Sequence, residues 1–231
     1  MERRINSLMR SLRVEDYNTY LSLLEREIQY WRKFLDTLTI NVSEFYRNPP
    51  QWEVLESKIL PELIAKSHSL KLWSAGCSTG EEPYTLTMVL LNKFPGVYFT
   101  LLATDIDDEV MNRAKAGVYN EKAVANLPQT YIQKFFVQEG NTFTVAEEVK
   151  KRVRFAKHNL LRDAFDRSFD LVLCRNVVIY FTEESKAELY RKFYDSLRPG
   201  GVLFTGSTEQ IFQAREIGYT LASSFFYKKN D

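Results

Sequence analysis

Cysteine and histidine are scarce in these 231 residues: Cys77 and Cys174 are the two thiols, His68 and His158 the two imidazoles. Neither cysteine sits in a CxxC or CxxH spacing, so no metal site is expected and the thiols should stay reduced. Charge of one sign is lacking too. The formal net charge is +1, which removes the overall field that draws a protein to nucleic acid or an anionic membrane. The first ten residues, MERRINSLMR, have no apolar run of the signal-peptide kind, and no stretch reaches the roughly 18 uninterrupted apolar residues of a membrane span. A cytoplasmic monomer with no membrane insertion is the expectation. Nine glycines and seven prolines are too few for a collagen-like or low-complexity chain.

What is present is ordinary globular material, 45% hydrophobic and 26% charged. The length suggests one main domain with a small appendage. From residue 1 to about 34 the apolar spacing is helical, with Ile5, Leu8, Met9 and Leu12 on one face and Arg3, Arg10 and Arg13 within ~80° of one another on the other. Residues 15–35 continue the helical pattern. A linker is expected at Asn48-Pro49-Pro50, so 1–47 reads as a helical subdomain with its linker and 48–231 as the main domain. Beyond it, strands are expected at about 71–75, 97–104, 152–157, 169–174, 202–206 and 219–228. Helices are expected at about 82–93, 108–117 and 183–197, the last stopped by Pro199-Gly200-Gly201. Such alternation implies an α/β fold with a mostly parallel, Rossmann-like sheet. Two short strands around Gln138-Glu139-Gly140-Asn141 read as a hairpin, giving a β-rich insertion at about 120–150.

Four stretches carry polar residues where an α/β sheet binds ligands. In WSAGCSTGEEPY, residues 73–84, a strand enters a small-residue loop and then a helix. Gly76 and Gly80 leave room for a ligand beside the backbone, and Thr79 and Glu82 have the capping-box spacing. The loop has neither GxGxxG nor Gly-Lys-Ser/Thr, and Glu81 and Glu82 at the helix start repel a diphosphate but suit an ammonium group. The alternative is a plain turn whose acids complement the helix dipole. Asp105 ends the second strand and can accept both hydroxyls of a ribose, or cap the following helix, a role that fits Asp107 better. The buried run 170–181 releases Arg175, Asn176 and Tyr180 at its carboxyl end; otherwise Tyr180 packs and Arg175 pairs with a surface carboxylate. The stretch 38–47 joins the two parts and by itself indicates only a structured connection.

Taken together, INVSEFYR, WSAGCSTGEEPY, ATDID, HNLL, FDLVLCRNVVIYF and RPGGVLFTGSTE resemble the CheR-type chemotaxis receptor methyltransferases, in this order and over nearly the whole chain. The resemblance implies a class I methyltransferase fold with a small N-terminal helical subdomain and an inserted antiparallel β-subdomain. It implies S-adenosylmethionine as methyl donor, S-adenosylhomocysteine as product, and glutamates in the cytoplasmic helical region of methyl-accepting chemotaxis receptors as acceptors. On this sequence it puts Asn41, Ser43 and Arg47 over the cofactor, and Glu82 with Glu81 near its methionine end beside the Gly76 loop. Asp105 falls on the ribose, Asn159 and Leu160 on the adenine, and Arg175 and Asn176 complete the pocket. Arg47 and Tyr180 lie nearest the transferred methyl, as the catalytic pair. Ser43 stands where the family usually has Thr, and Tyr46 where it often has Phe. The helical part is shorter than the family's, and the short hairpin turn at 138–141 implies an enzyme that does not grip a receptor C-terminal pentapeptide.

A glutamate acceptor is already ionised at neutral pH and needs no general base, which accords with the lack of a His or Cys constellation. Another class I methyltransferase acting on a small molecule, RNA or an amine, or a non-catalytic S-adenosylmethionine-binding module, are the competing readings. The Arg3, Arg10 and Arg13 stripe is either a solvated face or a docking surface for an acidic receptor helix.

Overall fold

The computed structural model describes residues 2–38 and 43–230, so Asn41 lies outside the described residues. The chain divides into two compact units, Met1–Val42 and Ser43–Asp231. In the first unit three helices, α1 (Glu2–Ser11), α2 (Tyr17–Arg26) and α3 (Ile28–Leu38), close over a small core of Met9, Val14, Tyr20 and Leu24. The helical periodicity of the sequence is interrupted twice. Beyond Ser11 the chain turns through Arg13, whose φ is 57°, and Asp16 then caps α2 by accepting the Thr19 N–H at 2.9 Å. Glu27, with φ −132° and ψ 111°, separates α2 from α3. The expected continuous helix over 15–35 is therefore two helices. Arg13 falls outside α1, so the arginine stripe on that helix keeps Arg3 and Arg10 but not Arg13.

The second unit opens with α4 (Pro49–Val54), a π turn at Leu55–Ile59, and α5 (Leu60–Lys66). Pro49 and Pro50 form no linker here. They occupy the first turn of α4, where a missing N–H costs nothing and the fixed φ favours the helix. Pro61 is accommodated by the π turn, in which the Leu60 N–H reaches back to the Leu55 carbonyl. That wider turn takes up the ring's bulk, which would break a regular helix.

Strands and helices then alternate: β1 (Ser69–Ala75), α6 (Glu81–Lys93), β2 (Tyr98–Asp105), α7 (Asp108–Ala116), β3 (Val118–Asn120), α8 (Glu121–Val124), α9 (Gln129–Phe135), β4 (Phe136–Glu139), β5 (Thr142–Val145) and α10 (Glu147–Lys150). After these come β6 (Val153–Lys157), β7 (Phe169–Cys174), a 3₁₀ turn at Val178–Tyr180, α11 (Glu183–Ser196), β8 (Leu197–Thr205), α12 (Ala214–Ile217), β9 (Tyr219–Ser223) and β10 (Phe226–Lys229). The seven-stranded sheet has the order β6-β2-β1-β7-β8-β10-β9. Its first five strands are parallel, and β10 runs antiparallel to both neighbours. Helix α11 ends at Ser196, close to the expected stop, although Pro199-Gly200-Gly201 itself belongs to β8, and residues 219–228, read as strand material, form the β9–β10 hairpin.

Alternate residues feed two cores, as a pleated sheet requires. Leu72, Leu171, Leu173 and Phe204 face one side with Tyr84 and Met88 of α6, while Trp73, Val172, Cys174 and Leu203 face the other with Leu189 and Phe193 of α11. Every residue of β7 is buried, which explains the apolar run Leu171–Cys174; the one charged residue, Asp170, spends its carboxylate on the Lys71 N–H and on Arg198. The insertion is a separate antiparallel sheet of three strands, β3-β5-β4. The sequence revealed β4 and β5 through their turn; β3, three residues long, pairs Tyr119 with Phe143 and was not recognised.

Chain order reverses beside β1, since β2 and β6 lie on one side of it and β7 and β8 on the other. The crevice beyond the carboxyl ends of β1 and β7 is the topological switch point, where open α/β sheets place their ligands.

Candidate active site

Two segments meet in that crevice. At the end of β1 the backbone swings through Gly76 (φ 80°), Ser78 (φ 47°) and Gly80 (φ 93°) into α6. The Thr104 carbonyl fixes the first bend by accepting the Gly76 and Cys77 N–H groups at 2.8 and 2.9 Å. A Cβ on Gly76 would stand 2.5 Å from Val177 Cγ2, and one on Gly80 would stand 2.9 Å from Ala114 Cβ. The two glycines thus admit neighbouring protein atoms, where the sequence reading expected room for a ligand. The capping box is not formed either. Gly80 is the N-cap, and the Thr79 hydroxyl donates instead to the carboxylate of Glu81 at 2.7 Å.

Asp105, at the end of β2, braces the same loop. Its Oδ2 accepts the Ser78 N–H at 2.8 Å and its Oδ1 the Asp107 N–H at 3.1 Å. Each carboxylate oxygen keeps a further lone pair for a ligand hydroxyl. Tyr119, on β3, holds the loop from the other side by donating its hydroxyl to the Thr79 carbonyl at 2.6 Å. The inserted sheet is therefore joined directly to the loop between β1 and α6.

Beyond β7, Arg175 turns back into the protein. Its side chain is 2% exposed, and Nη2 donates to the Arg47 carbonyl at 2.8 Å, Gln51 Oε1 at 2.9 Å and Asn48 Oδ1 at 3.3 Å. The guanidinium also lies over the Phe204 ring at 4.6 Å. Neither reading of Arg175 foresaw this role as the tie between β7 and the start of α4. Nη1 stands 3.6 Å from Glu82 Oε2, and Glu82 Oε1 accepts the Ser74 hydroxyl at 2.7 Å. Burial raises the Glu82 carboxyl above its ordinary value, opposed by the charges of Arg175 and Arg47 and by the Ser74 bond. Burial likewise lowers the Arg175 guanidinium, opposed by Glu82, while the like charge of Arg47 lowers it further. These two effects put the Arg47 charge in the same cluster.

The segment that delivers Arg47 is held on both sides. Phe45 is fully buried against Tyr119 and Phe136, with ring centroids 4.8 and 5.3 Å away, and its N–H donates to the Ala123 carbonyl. The Tyr46 N–H donates to Thr85 Oγ1 at 3.2 Å. Among the described residues seven non-glycine positions have positive φ, and four of them, Tyr46, Asn48, Ser78 and Asn176, line this crevice. Backbone strain of that kind collects where a site must hold one shape.

Three buried polar atoms here have no partner: Arg175 Nε, Asn176 Oδ1 and Thr205 Oγ1. Buried polar atoms are almost always paired, so a donor, an acceptor and a hydroxyl without partners at one sheet edge make this crevice the candidate polar site. Tyr180 is 48% exposed at the rim. Ser43 is half-buried, two residues before the anchored Phe45. On the far side, beyond β6, Leu160 is buried and Asn159 Oδ1 accepts the Leu161 N–H at 3.0 Å. The next imidazole, His158, packs on Trp73 and is lowered by burial, opposed by Asp163. Burial pushes the Cys77 and Cys174 thiols well above their ordinary value. Sequence reasoning also missed Glu209, buried behind the Asn176 turn; besides Gly206 its partners are the Asn176 and Val178 amides, more than thirty residues upstream, and such long-range pairs leave no trace in sequence.

A family model described as CheR methyltransferase, SAM binding domain, matches residues 41–225. A chemotaxis protein methyltransferase of Listeria innocua is 38% identical over 230 residues, covering 99% of this chain and 88% of its own. That of Borreliella burgdorferi is 35% identical over 244 residues, covering 100% of this chain and 86% of its own. That of Escherichia coli is 35% identical over 231 residues, covering 95% and 78%.

Proposed function

The chain belongs to the CheR methyltransferase family, and from that premise we propose that it methylates glutamate side chains of chemotaxis receptors, giving γ-methyl esters. Membership makes it an S-adenosylmethionine-dependent methyltransferase. The observation that carries the reading is the opposed charge cluster of Glu82, Arg175 and Arg47 beside three unpaired buried polar atoms. S-adenosylmethionine has the complementary groups: an ammonium for Glu82, a carboxylate for Arg175 Nε, and ribose hydroxyls for the free lone pairs of Asp105. Asn159 and Leu160 would flank its adenine, and Ser43, Gly76, Glu81 and Asn176 complete the pocket. When bound, it supplies an electrophilic methyl on a sulfonium.

The protein's own part in the reaction is positional. A glutamate carboxylate, with a reference pKa of about 4.3, meets the site already ionised. Arg47 and Tyr180 orient that carboxylate, and the braced loops keep the donor pocket in one shape. Holding reactants in line supplies about 7–11 kcal/mol of a barrier in favourable cases. Neither thiol competes as a nucleophile, because burial holds both protonated. Arg3 and Arg10, exposed on α1, offer an acidic receptor helix a complementary face, which acts on encounter and specificity more than on affinity. Arg13 lies next to them in sequence, in the turn that follows. No helix among the described residues is long and apolar enough to cross a membrane. Incubation with receptor-bearing membranes and methyl-labelled S-adenosylmethionine tests the proposal: label should appear in receptor polypeptides, and label confined to small molecules or nucleic acid would refute it.

A further inference from the structure

Glu209 follows β8 and is 3% exposed, yet none of the groups it binds is a side-chain cation. Its Oε2 accepts the N–H of Asn176 at 2.6 Å and of Gly206 at 2.8 Å, and its Oε1 accepts the Val178 N–H at 2.9 Å. The carboxylate is wedged between the loops that leave β7 and β8. A Cβ on Gly206 would stand 2.6 Å from Glu209 Oε2 and 2.9 Å from the Asn176 nitrogen. Asn176 itself has φ 60°, and its Oδ1 is buried without a partner. An Asn in a turn ordinarily spends its side-chain carbonyl on nearby backbone N–H groups. Here Glu209 has taken those N–H groups, and the buried Asn176 carbonyl is left without a partner. Val178 begins the 3₁₀ turn that ends at Tyr180, so the same carboxylate fixes the entry to that turn.

We infer that Glu209 is a positioning residue for methyl transfer: it holds the 176–180 turn so that Asn176 Oδ1 faces the cofactor and Tyr180 the acceptor. This rests on the function proposed above. In Glu209→Gln the amide replaces one acceptor oxygen with a donor that faces a backbone N–H whichever way it turns. S-adenosylhomocysteine affinity, measured by calorimetry where near-ultraviolet dichroism shows the variant folded, should fall roughly tenfold or more. Asn176→Ala should lose a similar factor. The double variant should be within about twofold of the worse single one, because both changes act through one atom. A merely structural Glu209 would leave the folded variant binding like the native protein. Affinity within about twofold of native, or losses that multiply in the double variant, overturn the inference. If Glu209→Gln does not fold, hydrogen exchange of the native protein decides. Residues 175–180 should be protected without ligand and change little on adding S-adenosylhomocysteine, whereas a turn that exchanges freely until ligand is added overturns it. Native protein that fails to bind S-adenosylhomocysteine would instead remove the proposed function itself, an outcome distinct from native and variant binding equally.

Discussion

Replacing Arg175 by Met tests the buried charge cluster at its centre. The change deletes the three Nη2 bonds to Arg47, Asn48 and Gln51 and leaves Glu82 with the Ser74 hydroxyl in place of a guanidinium at 3.6 Å. The Arg47 carbonyl is not orphaned, since it also accepts the Trp52 indole N–H at 3.1 Å. The dominant cost is therefore the uncompensated carboxylate. Breaking one side of a buried pair costs about 3–5 kcal/mol, a large part of the roughly 5–15 kcal/mol available to a domain. Adding Glu82→Gln removes the stranded charge, so the double variant should recover to within about 1–2 kcal/mol of native. Acidity gives a second check. Burial raises the Glu82 carboxyl in the folded state, so its favourable contribution is present below the unfolded value of about 4.3 and is lost as pH rises through the folded value. Without Arg175 the folded value climbs further, and the deficit of Arg175→Met should be larger at about pH 7.5 than at about pH 5. Urea unfolding of both variants at the two acidities measures this. A deficit under about 1 kcal/mol, or no rescue by Glu82→Gln, would refute the reasoning.

Other substitutions divide cofactor binding from catalysis and docking. Asp105→Ala removes the brace on Ser78 and the acceptor for a ribose, so S-adenosylhomocysteine affinity by calorimetry should fall about tenfold or more while the sheet stays folded. Arg47→Ala and Tyr180→Phe should lower kcat more than they lower cofactor affinity, and normal turnover in both would move catalysis elsewhere. Reversing Arg3 and Arg10 to Glu should slow receptor methylation more at low than at high ionic strength, with S-adenosylhomocysteine affinity unchanged. An equal rate in low salt would make that face a solvated surface.

The parts legible in the sequence were those whose cause is local. The apolar run Leu171–Cys174 of β7 marks a strand buried on both faces, and its polar release at Arg175 and Asn176 marks the carboxyl edge. The small-residue loop at 76–80 and Asp105 were found because a strand-to-helix turn needs those residue types. What escaped notice depends on partners remote in sequence. Arg175 ties down residues 47–51 more than a hundred positions upstream, and Glu209 serves amides on another strand's loop. The strand β3 is too short for a two-residue period to show, and is defined by its pairing with β5. Proline misled at the supposed linker, because its effect depends on position: in a first turn Pro49 and Pro50 start a helix, whereas Pro199 follows the end of α11 as expected and lies near the beginning of β8, where its missing N–H is tolerated.

The chemical nature of the acceptor tests the account most directly. Receptor membranes labelled by this protein with methyl-labelled S-adenosylmethionine should release the label as volatile methanol in mild alkali, and digests should place the methyl on glutamyl residues. Label that survives alkali, as a methylamine would, or receptor that stays unlabelled while S-adenosylmethionine binds, would contradict it.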